Sequence, residues 1–292
     1  MPRPPRIHVA GALYHTIARG NGGQKTFLDE RDYQTFIDAL GEVKRKTPFV
    51  IYAYCLMPNH FHLLIEPQQF PLSVVMQRLL TRYVKRFHLH HRRSGHLFQA
   101  RYKAILCQKD GYLQELLRYI HLNPVRAKLV MEAAMWKWSS HREYLGEVNG
   151  GVCEGRFALS LFHRDLGTSR NLYARFVSDG VKTGHNEGYY PSQSTPYLGD
   201  DSFIETYRER VSRRQSGEGR DSEKFTLERL GSRLQAKLGL AMLRAPTQAR
   251  KVSAARQEFV LSAVKMGHRP SAIAAFLRCS PSAISKIVAR SL

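Results

Sequence analysis

The chain has 292 residues, enough for about two domains, and its 43% hydrophobic and 24% charged residues are the proportions of an ordinary folded protein. Forty-five Lys and Arg against 24 Asp and Glu give a formal charge of +21 and an isoelectric point near 10.1, shared by both halves, so a polyanion is the expected partner and nucleic acid leads. The longest apolar run, Phe49 to Met57, is far below the roughly 20 residues of a membrane span. The basic MPRPPRI is not followed by the apolar h-region of a secretion signal, and Cys55, Cys107, Cys153 and Cys279 lack CxxC spacing, which argues against a zinc ribbon or disulfide framework and for reduced thiols in a cytoplasm.

In chain order, residues 9–18 (VAGALYHTIA) read as a strand, followed by a turn at Gly20 to Gly23. Asp29 reads as the N-cap of a helix carrying Tyr33, Phe36, Ile37, Leu40 and Val43 at helical spacing. Pro48 ends it. Phe49 to Met57 is aromatic and β-branched, Pro58-Asn59 marks a turn, and His60 to Glu66 continues as a strand. An amphipathic helix follows over Leu72 to His91, then a strand at Phe98 to Cys107 and a helix at Asp110 to Leu122 stopped by Pro124. The order β-α-β-β-α-β-α predicts an α+β, ferredoxin-like antiparallel sheet with helices on one face.

Beyond residue 146 the texture becomes helical, with a polar linker at Ser212 to Glu223. The expected division is 1–146, 147–223 and 224–292. The last part reads as a helix-turn-helix: Gln257 to Val264, Ser271 to Leu277, a turn at Arg278-Cys279-Ser280, and Ser282 to Arg290 opened by Pro281. Ser282, Ser285 and Lys286 would face outward. An ordinary three-helix or dimerisation module has the same pattern.

Three constellations could carry chemistry. On a strand, His60 and His62 point to one side and Phe61 to the other, so two imidazoles project together as part of a metal site. Two solvated histidines on a polar face would look the same. Tyr119 and Asn123 are four apart and share a helix face, although Tyr119 taken alone reads as a partly buried aromatic and Asn123 as a helix terminator. Between Pro67 and Lys109 stand nine Lys or Arg and no acid. Arg78, Arg82, Lys85 and Arg86 stripe one helix face, and Arg92, Arg93, Arg101 and Lys103 follow, which suits a phosphate track. Tyr83, Phe87, Phe98 and Tyr102 lie among them as candidate stacking platforms or core residues.

CLMPNHFHLLI (Cys55 to Ile65), SGHLFQARYKA (Ser94 to Ala104) and LLRYIHLNPVRAKLV (Leu116 to Val130) resemble the signature blocks of single-tyrosine HUH transposases. More narrowly they resemble the REP-associated tyrosine transposases of the insertion-sequence-200-like superfamily, over about residues 7–144. The resemblance implies the HUH nuclease fold, His60 and His62 as metal ligands completed by Asn123, Tyr119 as nucleophile, and Mg²⁺ or Mn²⁺ as cofactor. It implies cleavage and rejoining of single-stranded or hairpin DNA through a 5′-phosphotyrosine, in a nucleoid-associated protein whose Tyr119 serves its own site or that of a homodimer partner. The alternative from another class is a non-catalytic DNA-binding regulator using the helix-turn-helix. An RNA endonuclease comes third.

Overall fold

A computed structural model of the chain describes residues 9, 11–148, 150–182, 196–215, 227, 230, 243–244, 250–266 and 268–290. It divides into two compact units, one of residues 8–68 and 72–204, the other built mainly from 205–292.

The first unit begins with β1 (Leu13–Arg19) and a glycine-rich turn. Gly20 is required there, because a Cβ would lie 2.0 Å from the carbonyl oxygen of Gln24. The helix α1 (Glu30–Lys46) starts at Asp29, whose carboxylate accepts from Asp32 N at 3.0 Å, while Asp32 accepts in return from Asp29 N. This reciprocal cap satisfies donors that a helix start otherwise leaves orphaned. After Pro48, β2 (Phe49–Met57) and β3 (His60–Pro67) form a hairpin closed by Pro58-Asn59, with Met57 paired to His60. The turn is clamped from outside: Thr26 N and Phe27 N donate to Pro58 O, and Gly20 N to Asn59 O.

Next come α2 (Leu72–His91), β4 (Lys103–Cys107) and α3 (Lys109–His121). Pro124 opens the single turn α4 (Asn123–Arg126), since proline lacks the N–H that a continuing helix needs. The short α5 (His141–Leu145) and α6 (Gly155–Ser160), the longer α7 (Leu166–Asp179) and a two-residue β5 (Tyr197–Leu198) complete this unit, before α8 (Asp201–Gln215).

The sheet order is β2-β3-β1-β4-β5, antiparallel except for the β4–β5 pair. The α+β class and antiparallel core are as expected. The helices, however, cover both faces. Strand alternation sends Phe61 toward α1 and α2, where it meets Phe36 at 4.9 Å between ring centroids, and Phe36 meets Tyr83 at 5.1 Å. The other face carries Leu13, Ile17, Ala53, Cys55, Leu64 and Ile105, which pack with Leu113, Leu116, Leu117 and Ile120 of α3 and with Tyr173 and Val177 of α7. The outer sides of both β4 and β2 are engaged. Leu106 N and Gln108 N donate to Pro196 O and Leu198 O beside β4. Beside β2, Leu56 N donates to Trp138 O, Ser140 N to Tyr54 O and Glu154 N to Ile51 O.

The strand expected at 98–107 is regular only from Lys103. Before it, Phe98 makes a single bridge to Gly20.

In the second unit, α9 (Arg250–Lys265), α10 (Pro270–Leu277) and α11 (Pro281–Arg290) bury Phe259, Ile273, Phe276 and Ile284. The chain bends by 113° between α10 and α11 through Arg278, whose φ of 53° is left-handed. No single helix among the described residues is long and apolar enough to cross a membrane. The expected linker at Ser212 to Glu223 lies outside the described residues from 216 onward.

Candidate active site

The site forms where β1, β3 and α3 meet. Ile17 pairs with His62 and Arg19 with His60, so His15, His60 and His62 all stand on the α3 face. His15 and His62 are fully buried and His60 partly so. His62 Nδ1 lies 2.9 Å from His15 Nε2, and His60 Nδ1 lies 2.7 Å from Asn59 Oδ1. The Asn59 amide is oriented by its own donation to Gly23 O, so the atom facing His60 is an acceptor. His60 therefore carries its proton on Nδ1 and presents a lone pair at Nε2.

Burial penalises charge on all three rings. It lowers His15 from 6.5 to about 3 and His60 to about 4, with the Arg19 charge adding to the latter. His62 falls well below its usual value, first by burial and then by its two histidine neighbours. At neutral pH these are uncharged imidazoles, the form that ligates metals.

Tyr119, buried on α3, meets this group edge-on. Its ring centroid is 6.0 Å from that of His15 and 6.1 Å from that of His62, at interplanar angles of 74° and 81°. The Arg126 guanidinium lies 5.2 Å from the Tyr119 ring centroid, and Arg126 Nη1 donates to Tyr119 O at 3.1 Å. Asn123 Nδ2 donates to Tyr119 O at 2.9 Å and Ile120 O at 3.3 Å, satisfying carbonyls that the end of α3 leaves open. Because Nδ2 is spent on the helix, Oδ1 is the amide atom left for a cation. Two neutral imidazoles with both Nδ1 atoms engaged, and an amide oxygen, are a donor set that fits a divalent ion.

A family model described as "Transposase IS200 like" matches residues 8–123, a span that contains His60, His62, Tyr119 and Asn123. A Haemophilus influenzae protein named as a REP-associated tyrosine transposase is 31% identical over 157 residues, covering 49% of this chain and 88% of the relative. The chain belongs to the REP-associated tyrosine transposases. A solved structure of a REP-associated tyrosine transposase bound to a REP hairpin is similar at 20% identity and a TM-score of 0.44, covering 53% of this chain and 94% of that one. At that score the likeness adds nothing to the assignment.

In this member of the REP-associated tyrosine transposases, the basic residues of α2 divide into two groups. Arg82 and Arg86 both hold Glu42 of α1, at 2.5 and 2.9 Å, and Arg78 donates to Thr47 Oγ1. Hydrogen bonds and charge from Arg86 and Arg82 keep the Glu42 carboxyl below its usual range. Lys85, Arg92, Arg93, Arg101 and Lys103 are exposed. Arg92 sits just past α2 at a left-handed φ of 48°, ending that helix. Of the aromatics read as stacking candidates, Tyr83, Phe87 and Tyr102 are buried and Phe98 is half-buried.

Asp29, Asp32, His90 and His91 converge on the opposite side of the sheet, at the start of α1 and the end of α2. Both carboxylates already cap α1, and His91 Nε2 lies 2.9 Å from each Asp32 oxygen, so this group ties two helix ends together. In the second unit Ser282, Ser285 and Lys286 are exposed on α11.

Sequence reasoning missed His15, Asn59 and Arg126. His15 is a polar residue inside an apolar strand, which is a visible signal, but only the register shows that it faces His62. Also missed was a buried network beside α3. Tyr173 Oη of α7 lies 2.7 Å from His121 Nδ1 and 2.6 Å from His141 Nδ1, and His121 Nε2 lies 2.7 Å from Ser140 Oγ.

Proposed function

We propose that this chain cleaves and rejoins single-stranded or hairpin DNA by transesterification at Tyr119. The observation that carries the proposal is the Tyr119 ring set edge-on against His15 and His62 of its own chain. The Tyr119 oxygen attacks a phosphodiester, a phosphorus–Oη bond forms, and the bond to the 3′ oxygen breaks. The products are a 5′-phosphotyrosine and a 3′-hydroxyl. A later 3′-hydroxyl attacks the phosphotyrosine and returns Tyr119 to the free phenol. Each step exchanges one ester for another, so no nucleotide is consumed.

A phenol has a reference pKa of about 10, so at pH 7 only about one in a thousand is ionised, and the barrier must fall largely on the phosphate side. Mg²⁺ or Mn²⁺ held by His60 Nε2, His62 Nε2 and Asn123 Oδ1 would supply polarisation of that phosphate. Neutral imidazoles leave such a charge uncancelled. Arg126 adds a permanent positive charge beside the Tyr119 ring. Seating Tyr119 on a packed helix fixes its approach.

The exposed Lys85, Arg92, Arg93, Arg101 and Lys103 are the phosphate contacts on this reading, and Arg78, Arg82 and Arg86 join them when DNA displaces their present partners. Residues 224–292 act as a separate DNA-binding part, with Ser282, Ser285 and Lys286 of α11 toward the nucleic acid. The protein's place of work is the nucleoid. No observation favours the regulator reading.

The test is incubation with Mn²⁺ or Mg²⁺ and labelled single-stranded hairpins, resolved on denaturing gels. A covalent protein–DNA band that disappears in Tyr119→Phe supports the proposal. An adduct that persists in Tyr119→Phe assigns the chemistry to another tyrosine and refutes it.

A further inference from the structure

The two candidate ligand histidines are held differently. His60 has an unambiguous acceptor at its Nδ1, because Asn59 Oδ1 can only accept. His62 faces another imidazole, which can accept or donate at Nε2. If His62 Nδ1–H donates to His15, then His62 Nε2 carries a lone pair. If instead His15 Nε2–H donates, His62 carries its proton on Nε2 and cannot bind a cation there. The residue that decides is therefore His15.

We infer that His15 is a positioning residue that accepts from His62 Nδ1–H and thereby presents His62 Nε2 to the divalent cation. The inference rests on the metal-site reading above and names the regulator of its geometry. Two observations support it, and a third sets its cost. His15 is anchored by its strand on both sides, paired with Leu64 of β3 and Ile105 of β4, so its ring cannot withdraw with a loop. The two rings lie at 5.1 Å between centroids and 23° between planes, both fully buried, so no water competes for the bond. With Nε2 accepting, His15 carries its own proton on Nδ1, a buried donor with no hydrogen-bond partner among the described residues, so this tautomer carries a cost that the contact with His62 has to offset. An imidazole that forgoes a partner at one nitrogen is a poor choice for filling a core. It is explained if the other nitrogen's contact with His62 is what the position serves.

The first measurement is on metal-free, ¹⁵N-labelled protein. Long-range ¹H–¹⁵N correlation of the imidazoles reads which nitrogen of His62 bears the proton. Nδ1 is expected, and protonation at Nε2 overturns the inference. The second is Mn²⁺ affinity, followed by the electron paramagnetic resonance of the free ion. His15→Phe keeps a flat ring but offers no acceptor, and binding should weaken roughly 10- to 100-fold, the usual cost of removing such a partner. His15→Gln restores an acceptor and should recover most of that loss. Unchanged affinity in His15→Phe overturns the inference. His60→Ala separates the two levels: if it leaves Mn²⁺ binding intact, the metal reading itself fails and takes this inference with it. If His60→Ala loses the ion while His15→Phe keeps it, only the role of His15 falls. Should His15→Phe fail to fold, the tautomer in the unsubstituted protein decides.

Discussion

Replacing Tyr173 by Phe removes one oxygen atom and should destabilise the first unit far more than that suggests. Two proton arrangements satisfy the whole network: in one, Ser140 Oγ–H donates to His121 Nε2, His121 Nδ1–H to Tyr173 Oη and Tyr173 Oη–H to His141 Nδ1, and in the other each of these bonds runs the opposite way while Ser140 Oγ–H donates to Tyr54 O. His121, His141 and Tyr173 are all buried, and burial holds the tyrosine neutral by pushing its hydroxyl well above the usual range. In either arrangement Tyr173→Phe would leave a donor on one of His121 and His141 and an acceptor on the other without partners. Each buried orphan costs about 1–3 kcal/mol, and the pair about 2–4 kcal/mol after partial relaxation. Against a total stability of about 5–15 kcal/mol this is a large fraction. Urea unfolding followed by fluorescence should show the midpoint falling by about 1 M or more with the slope unchanged. Because His121 is two residues from Tyr119 on the same helix, adduct formation should slow as well. A loss below about 0.5 kcal/mol would refute the reasoning, for it would mean that the hydroxyl's bonds are replaced without cost.

Three further perturbations follow from the same structure. His121 and His141 have folded-state values depressed by burial, His141 to about 4 and His121 well below its usual value, so the unfolded chain binds more protons below pH 6.5. Stability should be flat above about pH 6.5 and fall between there and pH 4, each histidine contributing roughly 1.4 kcal/mol for every pH unit that separates its folded and unfolded values, as read from denaturant midpoints across that range. Gly20→Ala forces a Cβ against Gln24 O and should cost about 2 kcal/mol or more while loosening the β2–β3 hairpin, visible as faster amide exchange at Thr26 and Phe27. Glu42→Gln weakens the hold on Arg82 and Arg86. If both then contact DNA phosphates, the log–log salt dependence of single-strand binding steepens by up to about 1.4, measured by fluorescence anisotropy, and an unchanged slope removes those two arginines from the track.

The sequence was most informative where local chemistry dictates structure. The Asp29 cap, the Pro58-Asn59 turn and the apolar stripe of α2 are each set by residues within a few positions, and all three stand where periodicity and turn chemistry put them. Strand alternation likewise separated Phe61 from His60 and His62. What could not be read was pairing across the chain. The arginine stripe looks uncompensated along its own helix because Glu42 comes from α1, about 40 residues away. His15 and His62 are 47 residues apart, and nothing but the β1–β3 register brings them together. Burial of the second sheet face by α3 and α7 was invisible for a related reason: short helices after residue 146 carry modest apolar patterns, and their contribution appears only as a shared core.

The engaged outer sides of β2 and β4 limit how two copies of this chain could join. An exposed edge strand invites a second sheet to continue it, since its free N–H and C=O groups form a template. Here Ile51, Tyr54 and Leu56 on the outer strand β2 already spend edge groups on Glu154, Ser140 and Trp138, and the two-residue β5 covers β4. Growth of a continuous sheet from β2 or β4 through two copies would first have to strip away those segments. A pairing that leaves these segments in place has, beyond β4, only the two-residue β5 as an outer strand, so helix surfaces and loops would supply most of its area.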